Sequence, residues 1–176
     1  MSRLLLPTAA LLVAVLAGCG STEVTPAAPT EVADAPSAAA GPPGGIPALS
    51  GDPADLTQPT QAAAGTGSPP TELLVEDVVV GTGTPATEAD SVDVRYTGTL
   101  YSDGSVFDSS WERGDAPINF PLNQVVPGFT QGIVGMAPGG RRVIVMPPEL
   151  AYGSQARPGL PANSTLVFVV DLVGIS

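Results

Sequence analysis

The sequence has one cysteine, no histidine and no lysine among its 176 residues. A single cysteine excludes an intrachain disulfide, and without an imidazole base the usual Ser or Cys catalytic triads are excluded. The six basic residues, all arginine, face 17 acidic ones, which gives a formal net charge of −11. Such an acidic chain argues against partners made of nucleic acid and against electrostatic binding to anionic lipid. No cluster of metal-ligating residues is visible in the sequence, and we expect neither a metal nor a cofactor.

Aromatic residues are also few, and all of them lie between Tyr96 and Phe168. Because a packed core needs large side chains, we place the folded domain at residues 71–176. From residue 20 to residue 70 the sequence is dominated by Ala, Pro, Gly, Thr and Ser. Such a segment buries too little apolar surface to offset the entropy lost on ordering. We therefore interpret residues 19–70 as a disordered tether.

The first 18 residues have the features of a secretory leader. Arg3 supplies a positive charge, and the apolar run that follows it is short for a permanent membrane span. The run ends in Leu16–Cys19 (Leu-Ala-Gly-Cys), which resembles the bacterial lipobox, where the cysteine is lipidated and becomes the mature N-terminus. The alternative is a plain signal peptide with an incidental cysteine. We expect a protein anchored through Cys19 on the extracytoplasmic face of the cell membrane.

Alternating apolar and polar residues predict an antiparallel sheet with one helix, an α+β fold. Strands are predicted at residues 71–80, 91–100, 106–110, 117–120, 141–146 and 164–175. Phe129, Ile133 and Met136 fall at i, i+4 and i+7, which indicates one face of a helix of about two turns. We expect Gly132 and Gly135 to leave room for close approach of this helix to the sheet.

Four sequence blocks carry a resemblance to a known family. They are Val94–Gly98 (VRYTG), Phe107–Ser110 (FDSS), Val125–Phe129 (VVPGF), and Pro148–Gly153 (PELAYG) with Leu166–Phe168 (LVF) beyond it. Each block is weak alone, but together, in this order and at this spacing, they closely resemble the FK506-binding-protein (FKBP) family of peptidyl-prolyl isomerases. The resemblance covers the chain from about residue 72 to its last residue.

The resemblance implies a bent antiparallel sheet of five or six strands wrapped around one short α-helix. It implies a peptidyl-prolyl cis-trans isomerase, whose partners would be proline-containing exported polypeptides, with macrolides such as FK506 or rapamycin as inhibitors. Rotation of the X-Pro bond meets a barrier of about 18–20 kcal/mol. The twisted amide is less polar than the planar one, so an apolar pocket stabilises it relative to water.

The resemblance also implies a set of site residues. Proline would enter over Phe129, the Tyr152 hydroxyl and the Val126 backbone N–H would bond substrate carbonyls, and Asp108 would hold Tyr96. The catalytic residues would thus be Tyr96, Asp108 and Tyr152. The substrate-binding residues would be Phe107, Ile118, Val125, Val126, Phe129, Leu160 and Phe168.

Three positions depart from the family pattern, and other interpretations stay open. Phe129 is often tryptophan in the family, Ile118 is often phenylalanine, and Arg157 is histidine in some eukaryotic members. Without the family resemblance, Tyr96, Phe107 and Phe168 would be interpreted as plain core aromatics. The main functional alternative is a chaperone-like module that holds proline-containing segments with little turnover, and another is a structural lipoprotein with a vestigial pocket.

Overall fold

The computed structural model describes residues 44–114 and 116–176. The predicted leader, Cys19 and the first part of the predicted tether, up to residue 43, lie outside the described residues. The described elements are strands β1 (Leu74–Val79), β2 (Ser91–Leu100), β3 (Val106–Ser109), β4 (Ile118–Pro121), β5 (Gly140–Met146) and β6 (Leu166–Ile175), with one α-helix, α1 (Pro127–Ile133). Each predicted strand is present, with ends that differ by a few residues at most.

The six strands form one antiparallel sheet in the order β1-β5-β6-β2-β3, and β4 also pairs with β2. The short helix α1 contacts β5 more than any other strand. This arrangement confirms the predicted α+β class, a five- to six-stranded antiparallel sheet around one short helix. We call the face of the sheet that carries α1 the inner face and the opposite face the outer face.

The helix lies close to the sheet because of one glycine. A Cβ atom on Gly132 would lie 2.5 Å from the Cδ1 atom of Ile144 on β5, so only glycine allows this approach. The same expectation for Gly135 was wrong, because a Cβ there would have nothing within 4 Å. Gly135 instead takes a φ of 87°, the left-handed conformation with which many helices end. Arg142 donates to the carbonyl oxygens of Gly132 and Val134 and so covers the end of the helix.

Both faces of the central strands are apolar. The inner-face side chains of β5 and β6 belong to the main core, namely Ile144, Met146, Leu166, Phe168, Val170 and Leu172. The side chains between them form a second buried cluster on the outer face, namely Val143, Val145, Val167 and Val169. Something must therefore cover the outer face as well.

That cover is an N-terminal segment, residues 44–70, which we call the strap. Leu49 and Ala62 form an antiparallel bridge within it, and Ala62 is fully buried against the outer-face valines. The Tyr101 ring, which follows β2, is 2% exposed and packs so closely on Gly65 that a Cβ there would lie 2.0 Å from its Cζ atom. The Tyr101 hydroxyl lies 3.1 Å from the carbonyl oxygen of Thr66.

A buried ion pair joins the strap to the sheet. Arg141 on β5 donates to both carboxylate oxygens of Asp171 on β6, at 2.5 and 2.7 Å, and both side chains are almost fully buried. The remaining donors of Arg141 reach the strap, at the Pro53 and Gln58 carbonyls and the Thr60 hydroxyl, over 2.6–3.0 Å. The guanidinium is thus satisfied by the sheet and the strap together.

The predicted disordered tether is therefore wrong for residues 44–70. That expectation treated small residues and prolines as unable to bury enough apolar surface. The strap does not build a core of its own, because it covers valines and a tyrosine that the sheet supplies. For residues 19–43 the tether stays a prediction. No described helix is both long and apolar enough to cross a membrane.

Candidate active site

A cavity opens on the inner face beside the N-terminus of α1. Its volume is about 400 Å³. It is lined by residues from β2, β3, β4, α1, β6, the segment between β4 and α1, and the loop between β5 and β6, namely Tyr96, Phe107, Asp108, Phe120, Gln124, Val125, Val126, Phe129, Tyr152, Arg157 and Phe168. The cavity thus joins every part of the chain that carries a block of the family resemblance.

Aromatic rings make the apolar floor and walls of this cavity. Phe129 lies edge-on to three neighbours, Tyr96, Phe120 and Phe168, with ring centroids 5.5–6.2 Å apart. Phe107 meets Phe168 at a right angle, with a centroid distance of 5.5 Å. Offset and edge-to-face contacts of this kind are the favourable geometry for aromatic pairs. The rings hold one another in place and leave an apolar surface of fixed shape.

Glycine in β2 makes room for two of these rings. A Cβ atom on Gly98 would lie 2.7 Å from Phe107 and 3.0 Å from Phe168. A larger residue would push both rings into the cavity. This explains physically why the first block of the resemblance ends in a glycine.

A polar triad lies on one wall. The Tyr96 hydroxyl donates to one oxygen of Asp108 at 2.5 Å, and Arg113 donates to the other at 2.7 Å. Arg113 also donates to the Tyr96 hydroxyl oxygen at 2.6 Å. Each of the three side chains contacts the other two. Arg113 closes the triad from a one-turn 3-10 helix, Trp111–Arg113, that directly follows β3.

The triad keeps its charges fixed around neutral pH. Burial and the neighbouring Asp108 carboxylate raise the pKa of Tyr96 to about 12, so its phenol stays neutral. Burial acts to raise the pKa of Asp108, but hydrogen bonds from Arg113 and Tyr96 outweigh it and hold that pKa below its ordinary value. Asp108 is consequently ionised, and Arg113 balances its charge across the shared hydrogen bonds.

Other residues that line the cavity offer donors with no partner of their own. Among the described residues, none accepts a hydrogen bond from the Tyr152 hydroxyl or from the Val126 backbone N–H. Val126 directly precedes α1, so its N–H lies at the end of the helix where backbone donors are left unpaired. The guanidinium carbon of Arg157 lies 4.1 Å from the centroid of the Tyr152 ring. All three residues line the cavity, so these donors are available to a ligand that binds there.

The structure brings together most of the residues that the sequence singled out. Of the predicted set, only Ile118 and Leu160 do not line the cavity, since Leu160 belongs to the main core and Ile118 packs against that core. The prediction missed Phe120 and Gln124 and did not include Arg157 among the site residues. Phe120 follows Ile118 by two residues on β4 and so shares its face, a signal that the sequence did contain.

The site can bind and desolvate a short apolar group between hydrogen-bonding walls. In the described part of the chain no three His, Cys, Asp or Glu side chains are grouped as metal ligands. Among the described residues that line the cavity, Asp108 is the only acid, and it is already paired with Arg113. The arrangement suits stabilisation of a substrate conformation more than attack by a nucleophile.

Comparison with known proteins agrees with this geometry. A family model described as FKBP-type peptidyl-prolyl cis-trans isomerase matches residues 82–173, just over half of the chain. The FKBP-type peptidyl-prolyl cis-trans isomerase FkpA of Escherichia coli strain K12 is 44% identical over 111 residues, which are 63% of this chain and 40% of FkpA. The chain thus matches less than half the length of FkpA. A probable FK506-binding protein of Corynebacterium glutamicum is 42% identical over 107 residues, 61% of this chain and 90% of that protein.

Solved structures are similar in the same region. The crystal structure of FkpA from Escherichia coli superposes with a TM-score of 0.56 and 45% identity, covering 60% of this chain and 49% of that one. The crystal structure of AtFKBP13 gives a TM-score of 0.55 and 35% identity, covering 61% and 95%. The match of sequence and fold, over the residues that build the cavity, shows that the chain belongs to the FKBP-type peptidyl-prolyl cis-trans isomerase family.

Proposed function

We propose that the protein is a peptidyl-prolyl cis-trans isomerase that acts on X-Pro bonds of exported polypeptides. The observation that carries the proposal is the apolar aromatic cavity over Phe129, with the unpaired donors of Tyr152 and Val126 at its edge. The proline ring lies on Phe129. The Tyr152 hydroxyl donates to the carbonyl of the residue before proline, and the Val126 N–H donates to the next carbonyl.

The mechanism is stabilisation of the twisted amide. Loss of conjugation makes the amide less polar, so removing it from water costs less in the twisted state than in the planar one. Asp108 stays ionised and fixes Tyr96 beside the rotating bond, polarising that region without gaining or losing a proton. Each 1.36 kcal/mol taken from the barrier accelerates the reaction about tenfold.

The test is an isomerase assay with an X-Pro tetrapeptide, using the full chain and its Asp108→Asn variant. We expect acceleration by the wild-type protein and about a tenfold loss in the variant, equivalent to roughly 1.4 kcal/mol. Asp93→Asn, on the outer side of β2, is the matched control and should not change the rate. If the wild-type protein binds the peptide but does not accelerate its isomerisation, it is a chaperone-like binding module instead.

Macrolide binding to the same cavity is part of the proposal. One relative is named a probable FK506-binding protein, and the cavity here offers the same kind of apolar floor. We expect FK506 or rapamycin to inhibit competitively. Because Arg157 stands at the cavity mouth, we expect weaker binding than in family members with histidine there. Calorimetry with either drug checks this, and the absence of both heat and inhibition at saturation would contradict it.

We also propose that the protein is anchored in the cell membrane through a lipidated Cys19, on the extracytoplasmic face. The support is the N-terminal segment, in which the positive charge of Arg3 and an apolar run precede Leu16–Cys19. Without acyl chains an acidic protein has little affinity for an anionic membrane. Labelling with palmitate followed by fractionation tests this proposal. Cys19→Ala should lose both the label and the membrane retention, and equal label in both forms would contradict lipidation.

A further inference from the structure

The loop between β5 and β6 holds Arg157 in a defined place at the cavity mouth. Arg157 and Leu160 exchange two backbone hydrogen bonds of 2.9 Å, across a turn in which Gly159 has a φ of 73°. Leu160 is 4% exposed and belongs to the main core. The backbone of Arg157 is thus attached to the core, although its side chain is exposed.

The guanidinium of Arg157 is oriented but not neutralised. It lies over the Tyr152 ring at 4.1 Å, a stacking contact that arginine favours and that limits its freedom. Within the described residues it forms no ion pair, whereas Arg113, Arg141 and Arg142 each bind a carboxylate. A cation with a fixed position and no carboxylate partner is available to a ligand.

The other charges around the cavity leave this cation unbalanced. Asp108, which also lines the cavity, already shares its charge with Arg113 at 2.7 Å. The acidic residues on neighbouring elements, Glu112 and Glu149, are exposed and form no ion pair with Arg157. Although the chain as a whole is strongly acidic, no described carboxylate forms an ion pair with the Arg157 guanidinium.

We propose that Arg157 is a specificity-determining residue that favours substrates with an acidic side chain directly before proline. This inference rests on the proposed isomerase function. In the proposed pose Tyr152 donates to the carbonyl of the residue before proline, so that residue lies against Tyr152. Arg157 covers the ring of the same tyrosine, which places its guanidinium within reach of a glutamate or aspartate side chain at that position.

The test compares two tetrapeptide substrates that differ only in Glu or Gln before proline. At low salt we expect the ratio of kcat/KM for the Glu peptide over the Gln peptide to be about two to five, the range of an exposed ion pair. Arg157→Gln should bring the ratio close to one, and Arg157→Lys should retain most of it. Arg95→Gln removes the same charge elsewhere on the protein and is the control, with a ratio like that of the wild type.

Added salt should lower the wild-type ratio, because exposed charge pairs are screened. A ratio that is unchanged in Arg157→Gln, or a wild-type preference for Gln, would overturn the inference while the isomerase function stood. If neither peptide were turned over, the isomerase function itself would fail. In that case calorimetry would still test the role of Arg157, because equal affinities of the wild-type protein for the Glu and Gln peptides would overturn it.

Discussion

The two faces of the sheet are both apolar and both covered, but they differ in what covers them. On the inner face the helix α1 and the aromatic rings leave a cavity open to solvent. On the outer face the strap packs on the buried valines and completes the hydrogen bonds of a buried arginine, Arg141. The comparison indicates that the inner face carries the candidate active site while the outer face supplies stability.

Removing the strap should have the largest effect. Deleting residues 44–70 uncovers Tyr101, the outer-face valines and the ion pair of Arg141, so we expect it to lower the free energy of unfolding by more than the roughly 3–5 kcal/mol typical of a broken buried ion pair. Denaturant unfolding measures this loss. The m-value, which is the slope of the free energy of unfolding against denaturant concentration, should also decrease, because the deletion variant buries less surface. Deleting residues 20–43 is the control, with little expected change.

If the deletion of residues 44–70 left stability unchanged, the outer face would not need its cover. The folded fraction of that deletion variant, assayed at low temperature, should still accelerate isomerisation. Loss of activity from a demonstrably folded variant would contradict the division between the two faces.

Breaking the buried ion pair alone should have the next largest effect. Asp171→Asn leaves Arg141 with an uncompensated charge in a buried site, and we expect a loss of about 3–5 kcal/mol in the free energy of unfolding. Asp77→Asn is the matched control, because the Asp77 carboxylate also binds an arginine, Arg142, but is 40% exposed. Its loss should be at most about 1 kcal/mol. Equal losses in the two variants would show that burial of the pair does not matter.

The contact between the strap and Tyr101 can be tested with a single methyl group. In Gly65→Ala the new Cβ would overlap the Tyr101 ring at 2.0 Å, and we expect a loss of about 1–3 kcal/mol from overpacking. Gly45→Ala adds the same methyl group in the same strap, where nothing lies within 4 Å. Thermal unfolding should separate the two variants clearly. Identical melting temperatures would mean that the strap does not hold Gly65 on the ring.

Much of the inner face could be predicted from sequence, and the outer face could not. The strict alternation of apolar and polar residues predicted the bounds of β2, Ser91–Leu100, and the spacing of Phe129 and Ile133 predicted the helix. Both patterns are local, and the cavity lining followed from the family blocks. Arg157 was named only as a departure from the family, because nothing local shows that a loop arginine returns to stack on Tyr152.

The strap was missed because its own composition carries no sign of burial. Its contacts depend on side chains far away in sequence, chiefly Tyr101, Arg141 and Asp171. The signal that was present lay in the sheet. Leu166–Val170 is continuously apolar, and such a run is typical of a strand that is buried on both faces. That run implied a cover on the outer face, although not which segment supplied it.

We expect kcat/KM to stay constant between about pH 6 and pH 8, since no group of the triad titrates there. The pKa of Asp108 is held below its ordinary value and that of Tyr96 is raised to about 12. The stabilisation from ionised Asp108 is present above its unfolded-state pKa and is lost only as the pH falls through its lowered pKa in the folded protein. A limb in kcat/KM between pH 6 and pH 8 that disappeared in Asp108→Asn would instead identify Asp108 as a titrating catalytic group.

The most direct test of the division between the two faces makes the same change, tyrosine to phenylalanine, at one position on each face. Tyr152→Phe removes a hydroxyl from the cavity, and Tyr101→Phe removes one from beneath the strap. A hydrogen bond between neutral groups is worth about 0.5–1.5 kcal/mol. We predict that Tyr152→Phe lowers kcat/KM by about twofold to tenfold, with an unchanged melting temperature, and that Tyr101→Phe lowers the melting temperature with unchanged kcat/KM. If Tyr101→Phe lowered kcat/KM as much as Tyr152→Phe, or if Tyr152→Phe affected only stability, the two faces would not divide chemistry from stability.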